Sequence, residues 1–215
     1  MAGTTVRDDG IVETAFSGAA QELGLPQGTA KFDEALSYVR ETMGQSKIDV
    51  FTHLFGADRA QNAVDIFEKE MTAAISAGQV TALPGATETF AELGEAGVKI
   101  CLTTGFSPTT RDAILDTLKW SELVDLALSP ADAGRGRPYP DMILTAVLRL
   151  RVDDVRAVAV AGDTVSDLIA GTRSGAGLVA GVTTGAHSAE QLASAPHTHI
   201  LPGVHDLVRL LTDNS

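Results

Sequence analysis

The chain has 215 residues, 44% of them hydrophobic and 20% charged, with a net charge of −12. That is the make-up of a soluble globular protein, large enough for one sizeable domain or a core plus a smaller one. The acidic balance argues against a nucleic-acid or anionic-membrane partner, the single cysteine, Cys101, excludes an internal disulfide, and no apolar run approaches the roughly 18 residues of a membrane span. The opening residues lack the basic start and apolar stretch of a signal peptide, so the expected location is the cytoplasm. An anionic substrate needs locally placed positive groups or a metal, because the overall charge repels it.

The segment Ala2-Gly3-Thr4-Thr5 reads as a loop that wraps an anion. Gly3 lets a ligand approach the backbone, and the threonines supply hydroxyls. Such a loop normally hangs from the end of a strand, yet nothing apolar precedes it.

Residues 11–77 read as helical. Apolar residues recur at Ile11, Val12, Ala15, Phe16, Ala19 and Leu23, then at Phe32, Ala35, Leu36, Val39 and Met43, and later at Ala60, Ala63, Val64, Phe67, Met71 and Ile75. Spacings of three and four put one stripe on each helix. "GLPQG" at 24–28 and "MGQSK" at 43–47 break the run. Three amphipathic helices and a short fourth therefore form a small bundle.

After residue 80 short apolar runs alternate with helical segments. The predicted strands are "VKICLT" (98–103), "VDLALS" (124–129), "VRAVAVAG" (155–162), "GLVAGV" (177–182) and "THIL" (198–201). Strands alternating with helices imply an α/β fold with a doubly wound parallel sheet. Ligands of such sheets bind outside the carboxyl ends of the strands. The residues gathered there are Thr103, Thr104, Gly105, Asp132, Gly162, Asp163, Thr164 and Asp167, with Arg137 in a loop. Oxygen ligands suit a hard cation such as Mg²⁺, and amides with a guanidinium suit a phosphoryl group.

Taken singly these residues have plain readings. Lys47 is a solvated lysine at a helix start, Asp163 and Asp167 are acids at a helix amino end, and Thr103 closes a strand. Met43 and Cys101 read as apolar filling and His53 as packed on a helix face. The histidines at 187, 197, 199 and 205 show no ligand spacing.

Together the motifs resemble the haloacid dehalogenase superfamily, and within it the phosphonoacetaldehyde hydrolases and phosphonatase-like hydrolases. They run in order: Ala2-Gly3-Thr4, Thr103 at a strand end, Arg137 in "GRPYP", and the acidic pair Asp163 and Asp167 in "GDTVSD". The resemblance implies a Rossmann-like core formed by residues 1–9 and 81–215, with a helical cap inserted at 10–80. It implies Mg²⁺ held by the Ala2 carbonyl, Asp163 and Asp167. It implies phosphate held by Thr103 and Arg137, with Gly3, Thr4, Thr104 and Gly105 helping. The family's nucleophilic Asp falls one residue before Met1, and the strand leading to it lies in the centre of the sheet. Met1 is therefore expected to be an internal methionine of a longer chain.

The cap motif "MGQSKID" matches the family's imine-forming lysine to Lys47, one of five lysines, with Met43 lining the pocket. An imine draws off the electrons of a breaking carbon–phosphorus bond. Its amine must be unprotonated, so its pKa has to fall from about 10.4 towards about 7.5. A helix beginning at Lys47 and capped by Ser46 supplies about 0.3–1 kcal/mol of the roughly 4 kcal/mol needed. Burial has to supply the rest. Two positions depart from the family: Val50 stands where it has a histidine, and Phe106 where it has a tyrosine. Three functions follow. The first is hydrolysis of phosphonoacetaldehyde or a related carbonyl phosphonate, the second is hydrolysis of a small phosphate ester, and the third is a non-catalytic relative that binds a phosphorylated ligand. A homodimer through the helical cap is the oligomer considered.

Overall fold

The computed structural model describes residues 1–212. Four helices make up the first third: α1 (Ile11–Glu22), α2 (Ala30–Glu41), α3 (Lys47–Phe55) and α4 (Ala57–Ser76). Their apolar stripes face one another. Ala19 and Ala20 of α1 and Ala60 and Ala63 of α4 are buried, and side chains this small let helices approach closely. Phe51 of α3 fills the middle, its ring 6.3 Å from Phe16, 6.0 Å from Phe55 and 5.7 Å from Phe67. Local signals set the ends. The Thr29 hydroxyl accepts from the Phe32 amide at the start of α2, and Asp8 Oδ1 accepts from the Val12 amide at the start of α1.

The remainder alternates helices with strands. In order come α5 (Ala86–Glu95), β1 (Cys101–Thr103), α6 (Pro108–Leu118), β2 (Leu126–Leu128), α7 (Pro130–Ala133), α8 (Asp141–Arg149), β3 (Ala159–Gly162), α9 (Val165–Ser174), β4 (Leu178–Val182), α10 (Ala189–Ala193), β5 (His199–Leu201) and α11 (Leu207–Thr212). All strand pairs are parallel. Thr103 lies opposite Leu128, Gly162 opposite Gly181, and Val182 opposite Leu201. Fully buried Trp120 stands edge-on to Phe90 at 4.9 Å, and its indole N–H donates to the Thr87 hydroxyl. Among the described residues no helix is long and apolar enough to cross a membrane.

The strands are shorter than their apolar runs, and the expected single sheet is divided. β1 pairs with β2, while β3, β4 and β5 form a second sheet. The outer edges of β1 and β3 border an apolar cavity of about 560 Å³, lined by Leu102, Val160, Ala161, Phe90 and Ile143 among others. Met1 sits at its rim, where its amino nitrogen donates to the Thr103 carbonyl at 3.1 Å. Among the described residues no strand pairs with both β1 and β3, so the two sheets are not hydrogen-bonded to each other. Helices α5 and α7 were not foreseen. In α7 the run is a single turn opened by Ser129-Pro130, too short for a periodic stripe.

Candidate active site

A second cavity, about 360 Å³, lies where the helical segments meet the strand ends. Its floor is built by three loops that converge on Asp163. The turn Met1–Val6 folds back on itself, with the amides of Thr4, Thr5 and Val6 all directed at the Met1 carbonyl. Gly3 has φ +76°, and a Cβ there would stand 2.1 Å from Asp163 Oδ2. A Cβ on Gly185 would stand 2.0 Å from the same oxygen. The carboxylate is thus gripped between two glycine backbones. Thr4 Oγ1 donates to its Oδ1 at 2.7 Å, and the Ala186 amide donates to its Oδ2 at 2.9 Å.

Asp167 lies behind it at the start of α9. Its Oδ2 accepts from the Thr164 amide and hydroxyl, closing a capping box, while its Oδ1 pairs with Arg137. Burial raises the pKa of Asp163, and the neighbouring Asp167 charge adds to the rise. Burial acts the same way on Asp167, but the Arg137 guanidinium and the Thr164 hydroxyl outweigh it and hold that carboxyl below its usual range. Arg137 is 8% exposed, and its Nε is buried without a partner. A buried guanidinium N–H left unpaired at a cavity is suited to an anionic oxygen.

The roof is the loop 43–47 with the start of α3. A Cβ on Gly105 would come within 2.2 Å of the Gln45 carbonyl oxygen, so only glycine lets this loop close on the strand end. Gln45 also donates to the Ser166 hydroxyl at 3.3 Å. Glu68 of α4 tethers the helices from the other side, accepting from the Ser107 amide and hydroxyl and the Thr110 hydroxyl at the start of α6. Lys47 is 8% exposed, with Nζ 5.8 Å from the Phe67 ring centroid and 5.7 Å from that of Phe106. Burial holds its pKa down to about 8, helped by the Arg137 charge and opposed by Asp8 and Glu68. Ser46 occupies the cap position of α3, but its side chain makes no capping bond, so the expected Ser46 cap is not formed. Its Cβ is packed against Gly136 instead.

Of the residues singled out in the sequence, Ala2, Gly3, Met43, Lys47, Thr104, Gly105, Arg137 and Asp163 line this cavity. Thr4 and Asp167 reach it through Asp163 and Arg137. Thr103 is brought elsewhere: it borders the apolar slot, and the threonine at the polar cavity is Thr104. Successive strand residues point to opposite faces, so of two adjacent threonines only one can face the site. Asp132 is also elsewhere, accepting from the Ser129 amide and paired with Arg111. The His53 ring stacks on Tyr38 with centroids 4.2 Å apart. Burial pushes the Cys101 thiol up to about 12, which makes it inert.

Several lining residues carried no signal in the sequence. The loop Thr184–Ala186 lacks a motif and folds over Asp163, and His187 accepts the Val165 amide at the start of α9. Asp8 lines the cavity from the turn before α1. Glu13 and Arg40 line it as a two-pronged pair, with both bonds at 2.7 Å. Among the described residues no group of three or more His, Cys, Asp or Glu side chains is arranged to hold a metal. The donor set for Mg²⁺ is the Asp163 carboxylate and backbone oxygen. It fits in one respect: two buried carboxylates that repel each other are relieved by a divalent cation.

A family model described as haloacid dehalogenase-like hydrolase matches residues 1–175. A phosphonoacetaldehyde hydrolase of Pseudomonas putida is 28% identical over 190 residues, spanning 86% of this chain and 68% of that protein. A phosphonoacetaldehyde hydrolase-like protein from Oleispira antarctica superposes with a TM-score of 0.82 at 23% identity, covering 99% of this chain and 89% of that one. A predicted phosphatase from Clostridium acetobutylicum superposes with a TM-score of 0.83 at 18% identity, covering 99% and 95%. At these identities the two structural likenesses establish the fold.

Proposed function

The chain belongs to the haloacid dehalogenase-like hydrolases, and from that premise we propose that it cleaves the carbon–phosphorus bond of phosphonoacetaldehyde or a related carbonyl phosphonate. The observation that carries this reading is Lys47. A buried amine held down to about 8 faces the same cavity as Arg137 and Asp163. A lowered amine pKa makes the unprotonated form more accessible, as an imine-forming enzyme requires.

In this reading residues 10–80 act as a cap over a core of residues 1–9 and 81–215. The Lys47 amine adds to the substrate carbonyl carbon and water leaves, forming an iminium. When the carbon–phosphorus bond breaks, its electron pair moves into the enamine, and hydrolysis of the enamine's protonated form frees Lys47. Arg137, Thr104 and the amides near Gly3 and Gly105 would hold the phosphoryl oxygens, and Asp163, Asp167 and the Ala2 carbonyl would hold Mg²⁺. When bound, the ion offsets charge between an attacking carboxylate and phosphorus. The resemblance implies that an aspartate carboxylate receives the phosphoryl group and that water then hydrolyses the aspartyl-phosphate.

The second reading, hydrolysis of a small phosphate ester, has one observation in its favour. Among the described residues that line the cavity there is no histidine. The test is phosphate release from phosphonoacetaldehyde with Mg²⁺. Borohydride trapping runs in parallel. Release of phosphate, with trapping lost in Lys47→Ala, is the expected result. Turnover of esters that survives Lys47→Ala, without trapping, would make the protein a phosphatase.

A further inference from the structure

An imine at Lys47 raises a question of proton supply. When an amine adds to an aldehyde, the carbinolamine oxygen departs as water only after it gains a proton. The roof of the cavity has to hold an acid within reach of Lys47. Its lining contains three carboxylates, Asp8, Glu13 and Asp163. Glu13 is engaged at both oxygens by Arg40. Asp163 is engaged at both oxygens by Thr4 and Ala186, on the floor. Glu68, the other acid whose charge is felt at Lys47, is held by Ser107 and Thr110 and does not line the cavity. Asp8 differs from all three. Its carboxylate accepts only from backbone amides, Val12 at 3.3 Å with Gly10 and Ile11 beside it, and no cationic side chain forms an ion pair with it among the described residues.

The geometry points to Asp8 as the acid–base residue of the Lys47 imine: it gives its proton to the departing carbinolamine oxygen and takes one back when water re-enters to hydrolyse the product imine. The balance closes within the site. Lys47 loses a proton as its nitrogen bonds to carbon, the carbonyl oxygen leaves as water with that proton and the one from Asp8, and Asp8 is left as carboxylate beside the iminium cation. Two features of its surroundings suit the role. Burial raises the Asp8 pKa from the ordinary carboxylate range, so the acid form is accessible nearer neutral pH. The amides at the start of α1 and the Lys47 charge oppose that rise and stabilise the carboxylate once the proton has gone. The residue sits in the turn Arg7–Gly10, outside the superfamily motifs in the sequence, which explains why it escapes a motif search.

This inference rests on the imine proposed above, and its test separates the two. The reaction followed is reductive trapping of acetaldehyde on Lys47 by cyanoborohydride, read by mass spectrometry. It needs neither a metal nor the attacking carboxylate. Asp8→Asn keeps the acceptor for the Val12 amide and removes the acid. Trapping in Asp8→Asn is expected to slow by about 10²-fold or more, with Asp8→Glu recovering much of the rate. Asp8→Ser, which also keeps a capping oxygen, is expected to show the same loss if the Asn variant folds poorly. A purely electrostatic or capping Asp8 predicts the opposite sign. Removing its charge lowers the Lys47 pKa further, frees more amine, and leaves trapping equal or faster. That outcome would overturn the role of Asp8 and leave the imine standing. An absence of any adduct in the wild type, or an adduct that survives Lys47→Ala, would overturn both.

Discussion

On the floor of the cavity nearly every polar atom has a partner, whereas on its roof the amine has none. Asp163 and Asp167 between them engage Thr4, Ala186, Thr164 and Arg137. Lys47 makes no hydrogen bond or ion pair among the described residues and faces two aromatic rings. The floor holds Asp167 charged with dipoles and the Arg137 counter-charge, while burial raises the pKa of Asp163. The roof makes a charge expensive by burying the amine without a hydrogen-bond or ion-pair partner, against the opposing charges of Asp8 and Glu68. A phosphoryl group needs the first arrangement and a nucleophilic amine the second, so one cavity carries two electrostatic regimes a few side chains apart.

The most severe way to break this contrast is at Asp163. Asp163→Asn removes the floor's central charge and is expected to reduce phosphate release by about 10³-fold or more. Retention of a tenth of the activity would show that the floor does not depend on it. The strand-end threonines come next. Thr104→Val is expected to lose about 10²-fold in phosphate release, as for removal of one oxyanion donor. Thr103→Val is expected to stay near wild type, and equal losses at both would return Thr103 to the site.

The roof can be tested without turnover. Lys47 has its pKa lowered from 10.5 to about 8 in the folded chain. Between those values the unfolded chain holds a proton that the folded chain has released, so wild-type stability should rise with pH across the window from about 8 to 10.5. Below it both forms are protonated and the folded state carries the full cost of a buried ammonium. Lys47→Met is therefore expected to melt higher than wild type at pH 7, by about 5 °C, and to lack the rise with pH. Equal melting curves would mean the amine is better solvated than its surroundings suggest. A loss of stability is expected where Glu68 ties α4 to the start of α6. Glu68→Ala leaves the Ser107 and Thr110 donors unpaired and should cost about 1–3 kcal/mol in denaturant unfolding.

Much of the fold was legible before the structure. Ala15, Phe16 and Ala19, then Ala63, Phe67 and Met71, repeat at helical spacing and are buried on the faces that spacing names. The "GDTVSD" run forms a strand end, a capping box and α9, because caps and periodicity are interactions within a few residues. Thr103 and Thr104 show where that legibility stops. Both are adjacent hydroxyls at a strand end, and only the direction of the last residue off β1 separates them.

By itself the sequence determined the α/β alternation, the helical run over 11–77 and the order of the motifs, and the family resemblance drew attention to Lys47. All of these depend on residues close together in the chain or on a pattern of types. Tertiary structure alone decided what surrounds that lysine. Phe67 and Phe106 come to Lys47 from distant elements, Asp8 lines the same cavity from the turn before α1, and Thr184–Ala186 closes over Asp163 from the far end of the chain. A pKa is set by what lies within a few ångströms in space, and burial and charge at that range are sums over the whole fold.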